Sequence, residues 1–110
     1  MKHFIRSDIE HERAVSERGY LEFLRVPSLS AGLYVLPAGT NDLQAPHSED
    51  EIYVIQSGRA TFRGGGEEVL VGPGSVLYVS ANEEHRFHSI TEELSVLVIF
   101  APAESTAARR

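Results

Sequence analysis

An all-β sandwich or barrel is the fold class this sequence predicts, and three observations predict it. Short runs rich in β-branched and aromatic residues recur along the chain. Pro27, Pro37, Gly39, Gly58, the Gly64-Gly65-Gly66 run and Gly72-Pro73-Gly74 punctuate them. No helical period alternates with these runs, which argues against a parallel α/β arrangement.

In chain order, Ser7-Asp8-Ile9-Glu10 has the form of a capping box, so a short helix over residues 7–18 is expected, ended by Gly19. Residues 20–26 form the first strand, stopped by Pro27, and residues 29–36 the second, stopped at Pro37. A polar loop covers 40–46. Residues 51–56 are a third strand with a turn at Ser57-Gly58, and 59–63 a fourth, alternating polar and apolar as a half-buried strand does. The glycine run makes a hairpin into 67–71, and another tight turn leads to 75–79. The last two strands are expected at 85–90 and 94–100, joined by a polar turn at Thr91-Glu92-Glu93. Residues 94–100 are apolar on both faces, as in a strand covered by the interior on one side and by a second subunit on the other.

At 110 residues the chain is read as one domain, with a core over about 20–101, an N-terminal arm at 1–19 and a loose tail at 102–110. The net charge of −6 argues against nucleic acid as a partner. No apolar run is long enough for a membrane span, and the charged N-terminus is unlike a signal peptide. With no cysteine there are no disulfides and no thiolate ligands, which fits a cytoplasmic protein.

The chemistry concentrates in residues 44–58, QAPHSEDEIYVIQSG, where His47, Glu49, Asp50 and Glu51 crowd the mouth of a strand. Such groups are costly to bury unless something satisfies them, and a divalent cation does so. Strand alternation places Glu51, Tyr53 and Ile55 on one inward face. In His85-Arg86-Phe87-His88, Phe87 is the natural core residue, so His85 points inward with it and Arg86 and His88 outward. His47, Glu51 and His85 then make a facial set of two imidazoles and a carboxylate, which suits iron(II) and also admits zinc, manganese or nickel. Taken alone, His47 with Glu51 reads equally as a solvated loop with an exposed ion pair, and His85 as a hydrogen-bonded core histidine. Tyr34 and Tyr53 are core aromatics whose hydroxyls need partners. Arg63 and Arg86 read as surface charges, one of which could hold an acidic substrate, and nothing in the sequence selects it. The glycine run has no following lysine and helix, so it is no phosphate loop, and no Gly-x-Ser-x-Gly elbow occurs.

Residues 30–101 resemble the small single-domain cupins, double-stranded β-helix (jelly-roll) barrels. Gly39, His47, Glu51 and Gly58 match the first cupin motif in spacing, with three residues between His47 and Glu51 and six before Gly58. Gly74 and His85 match the second. Ala45 stands where that family has its first histidine, Ser80 and Asn82 where it has Pro and Gly, and Ser89 where it has Asn. The resemblance implies His47, Glu51 and His85 as ligands to one divalent transition metal, with Gln44 or Glu49 as substitutes for the missing one. It also implies a homodimer. The functional expectation is a metal-dependent enzyme on a small organic molecule, of dioxygenase or isomerase/lyase type, with Glu49 as general base if it points inward. The alternative is a non-catalytic small-molecule-binding or sensor cupin.

Overall fold

The computed structural model describes residues 1–43 and 45–105. Among these residues one helix, α1 (Arg6–Ser16), precedes six strands: β1 (Tyr20–Val26), β2 (Leu29–Leu36), β3 (Asp50–Gly64), β4 (Glu67–Val71), β5 (Val76–Val79) and β6 (His85–Ala101). The chain is an all-β jelly-roll, as the turn spacing and the resemblance indicate. Its antiparallel sheet runs β1-β2-β6-β3-β4, with β5 also on β3.

The frame is the β3/β6 ribbon. These two strands pair antiparallel from Asp50↔Ala101 to Gly64↔His85, interrupted by register shifts between Ile55 and Thr61. On one side of the shifts β3 also pairs with β5 and β6 with β2; on the other, β3 pairs with β4. The ribbon bends there and its halves face each other. The rings of Tyr53, from one half, lie 5.6 Å from Phe62 and 5.1 Å from Phe87, from the other. Around them pack Ile55, Leu94, Val96, Val98 and Phe100, all buried.

Two expected breaks are therefore absent. Residues 51–56 and 59–63 are one strand, and so are 85–90 and 94–100. Gly58 takes φ +96 and Ser89 φ 51, and these residues absorb the bend as bulges rather than turns. Thr91, Glu92 and Glu93 lie within β6, exposed, with the Glu92 carboxylate 3.5 Å from the Arg59 guanidinium across the ribbon.

The helix also differs from its expected cap. Ile5 is the N-cap, with extended φ/ψ and no side-chain hydrogen bond, and Ser7 lies inside the helix. Glu17, in a left-handed conformation, ends it ahead of Gly19. No residue of α1 is buried, and the helix lies against β1 and β2. Phe4, just before it, meets Phe23 of β1 edge-on at 5.0 Å.

The loop between β2 and β3 runs beside the β6 edge that β2 leaves uncovered. Gly39 N–H donates to Ile90 O at 2.9 Å. Farther along, buried Asp42 accepts from the Tyr34 hydroxyl at 2.9 Å and from the Phe87 backbone N–H at 3.0 Å. The open edge of a strand is thereby covered by a carboxylate.

Candidate metal centre

Glu51 is the second residue of β3 and His85 the first of β6, at opposite ends of the ribbon's pairing. The bend brings those ends together. Glu51, Tyr53 and Ile55 are buried while Asp50 and Ile52 are exposed, and His85 and Phe87 are buried while Arg86 is exposed. The alternation read from the sequence sets these directions. His47 comes from the loop ahead of β3. Its carbonyl accepts from Asn82 N–H at 2.6 Å, which ties that loop to the one before β6. Its ring lies 4.9 Å from that of Phe100.

One ligand atom each from His47, Glu51 and His85 lie within 4.8 Å of one another. Glu51 Oε1 is 3.1 Å from His85 Nε2 and 3.7 Å from His47 Nδ1. All three side chains are 1–2% exposed. The hydrogen bonds fix one tautomer. His85 Nδ1 lies 2.8 Å from the Glu83 carbonyl, which can only accept, so Nδ1 carries a proton. In the neutral ring, Nε2 then presents its lone pair to Glu51 Oε1 and to the Tyr53 hydroxyl at 3.0 Å. The hydroxyl donates to it, but a carboxylate oxygen facing a lone pair is repulsive without a positive charge between them. His47 Nδ1 is buried with no hydrogen-bond partner among the described residues. A divalent cation satisfies both requirements, and two imidazoles with a carboxylate are a suitable donor set.

Of the other expected site residues, Glu49 is buried, but its Oε2 is taken by the Ser48 hydroxyl at 2.6 Å and the Ser105 N–H at 3.2 Å, and it stands outside the three-residue group. Gln44 lies outside the described residues. His88 pairs with Glu68 on the outside at 3.1 Å. Tyr34 and Tyr53 have the hydroxyl partners their burial requires, Asp42 and His85.

The sequence reading missed Glu104. The stretch after β6 reads as a loose tail because it is small and polar, yet Glu104 is 3% exposed and its Oε2 lies 3.1 Å from His47 Nε2. Residues 106–110 of that tail lie outside the described residues. No periodicity marks Glu104. Its only signal in the sequence is a lone carboxylate following the most apolar strand.

A cleft of about 750 Å³ opens beside the site, lined by Asp42, Pro46, Arg63, Glu84, His85 and Arg86 among others. Arg63 and Arg86 sit directly opposite each other in the β3/β6 register.

Residues 32–100 match the model of the cupin domain family. An uncharacterised protein of Streptomyces coelicolor is 50% identical over 105 residues, covering 96% of this chain and all of that one. Among solved structures, the DMSP lyase DddQ of Ruegeria pomeroyi is similar with a TM-score of 0.65 and 27% identity over 69% of this chain. The match spans only 39% of the lyase's length. KdgF from a Halomonas species is similar in fold, with a TM-score of 0.69 and 20% identity, over 83% of this chain and 80% of that one.

Proposed function

Starting from a chain that belongs to the cupin family, we propose a metal-dependent enzyme acting on a small organic molecule, with His47, Glu51 and His85 holding one divalent transition ion. One observation carries this reading: two buried imidazoles each turn a ring nitrogen towards one carboxylate oxygen, and one of those nitrogens, His47 Nδ1, has no hydrogen-bond partner among the described residues. Iron(II) is the ion we favour, since two histidines and one carboxylate leave positions open for substrate or oxygen. When bound, the ion would supply Lewis acidity towards a substrate oxygen.

The remaining roles belong to the chain's own side chains. When the ion takes the His85 Nε2 lone pair, the Tyr53 hydroxyl, 3.0 Å from that nitrogen, stands beside the donor set as a group able to move a proton. We keep Glu49 as general base, because its Oε1 is buried and without a hydrogen-bond partner among the described residues. Arg63 and Arg86, two facing cations on the wall of the cleft, suit a substrate with an acidic group. The reaction is of dioxygenase or isomerase/lyase type, and the likeness to a DMSP lyase lends support to the lyase branch. The same reading includes a homodimer formed through the outward face of β3, β5 and β6. It also includes a cytoplasmic setting, in keeping with the absence of cysteine.

A second reading, a non-catalytic binding or sensor protein, is favoured by the enclosure of the site, whose ligand side chains are 1–2% exposed.

The test is elemental analysis of protein purified without metal-stripping reagents. About one transition metal per chain is expected in the wild type, and a clear loss in His85→Ala. Near-zero metal in both would defeat the metal reading. The iron-loaded protein is then assayed for oxygen uptake with thiols, diketones and catechols, and for turnover of DMSP. Turnover supports the enzyme, whereas tight ligand binding without turnover supports the sensor.

A further inference from the structure

Both imidazoles of the site have one nitrogen turned to Glu51 and one turned away from it. For His85 the outer nitrogen, Nδ1, gives its proton to the Glu83 carbonyl. For His47 the outer nitrogen is Nε2, and 3.1 Å from it lies the Glu104 carboxylate, with both side chains 2–3% exposed. The pair falls short of hydrogen-bond alignment, but a carboxylate oxygen so close in a buried setting favours a proton on Nε2 by charge, because a lone pair there would face another negative charge. The neutral ring then has its lone pair on Nδ1, on the Glu51 side.

The chain goes to some length to deliver this carboxylate. Glu104 N–H donates to the buried Ser30 hydroxyl at 2.8 Å. Its carbonyl accepts from the Arg25 guanidinium at 2.6 Å. The next amide, of Ser105, donates to Glu49 Oε2 at 3.2 Å. Three anchors on consecutive main-chain groups, reaching β1, β2 and the loop that carries His47, make a built contact.

We propose that Glu104 is the positioning residue of the metal centre: it holds the proton on His47 Nε2 and so makes Nδ1 the ligand atom. This inference rests on the metal reading above. The two rings would then bind in opposite senses, His47 through Nδ1 and His85 through Nε2. Buried acceptors that orient metal-binding histidines in this way commonly affect ion affinity by about 10–100-fold.

Zinc, which is spectroscopically silent and stable to air, serves as the probe. The full chain, with its histidine nitrogens isotopically labelled, is loaded with zinc and its ring tautomers are read by NMR. His47 is expected with a protonated Nε2 and a metal-bound Nδ1, and His85 with the reverse. In parallel, zinc affinity is measured by competition with a zinc-sensing dye for the wild type, Glu104→Gln and Glu104→Ala, with folding checked by circular dichroism. Glu104→Ala should bind about 10–100-fold more weakly at unchanged stoichiometry. Glu104→Gln, which keeps an acceptor oxygen, should lose less. Metal on His47 Nε2 in the wild type would overturn the proposal, and so would a folded Glu104→Ala that matches the wild type in affinity. If Glu104→Ala does not fold, the wild-type tautomer and Glu104→Gln still decide: Glu104→Gln as weak as the His85→Ala variant would make Glu104 a ligand and overturn a positioning role. A wild type that takes up no zinc, iron or manganese defeats the metal reading itself, an outcome distinct from the others.

Discussion

Asp42 shows how much one buried carboxylate can organise. Its two oxygens take the Tyr34 hydroxyl and the Phe87 amide, so that one side chain joins β2, the following loop and β6. Asp42→Ala leaves both donors in the interior without that acceptor, at about 1–3 kcal/mol for each. Urea unfolding should therefore show a loss of about 2–5 kcal/mol, with the slope of the transition unchanged. Asp42→Asn should recover part of it, since the amide retains one acceptor oxygen. At this scale the sequence speaks unevenly. Glu51 and Tyr53 in β3, and His85 and Phe87 in β6, face inward because alternation fixes a strand's faces once one residue, Tyr53 or Phe87, is assigned to the core. Asp42 and Glu104 lie outside any strand, where nothing periodic announces burial. Their importance comes from partners 45 residues away in one case, Phe87, and 74 in the other, Ser30.

At the scale of elements, the β3/β6 ribbon and its bend decide where the ligands meet. Gly58 makes the bend possible. Its φ of +96 is hostile to other residues, and a Cβ there would lie 2.2 Å from the Glu93 carbonyl oxygen. Gly58→Ala should cost about 2–4 kcal/mol through backbone strain and displacement of that carbonyl. It should also weaken metal uptake in elemental analysis, because the two halves of the ribbon would no longer close at the same angle. A glycine preceded by Ser57 reads locally as a turn, and a turn and a bulge share the same left-handed backbone. Only the long-range pairing with β6 tells them apart, so the sequence shows two strands where the fold has one. The stops at Pro27 and Pro37 were legible for the opposite reason: a missing amide and a fixed φ act within the residue itself. The helix start lay between these cases. Ser7 and Glu10 form a good local signature, but Glu10 is engaged with Arg6 at 3.0 Å, and the helix begins early enough to take in both.

At the scale of the whole molecule, the outward face of the sheet is the feature that remains. Ile52 sits opposite Tyr78 and Ile99, and Val54 opposite Val76 and Leu97. Ile52, Val76 and Tyr78 are 38%, 64% and 63% exposed, so this apolar row is open to water on the single chain. It is the surface on which the proposed second copy would sit, and apolar patches of this kind commonly mark association sites. Sedimentation should show a dimer for the wild type and a monomer for the double variant Ile52→Lys, Val76→Lys. A wild-type monomer at all concentrations would remove the dimer from the reading. The doubly apolar character of 94–100 was visible in the sequence. That its outer face joins β3 and β5 in one patch was not, because the strand order is set by the fold.

The enclosure of the centre has a kinetic consequence. His47, Glu51, His85 and Glu104 are 1–3% exposed along their side chains. An ion held by ligand side chains this buried would be reached by an outside chelator only when the surrounding chain opens. A strong chelator added from outside competes for an event it does not control. Stripping should speed up with chelator concentration only to a plateau, and the plateau would measure how often the protein opens.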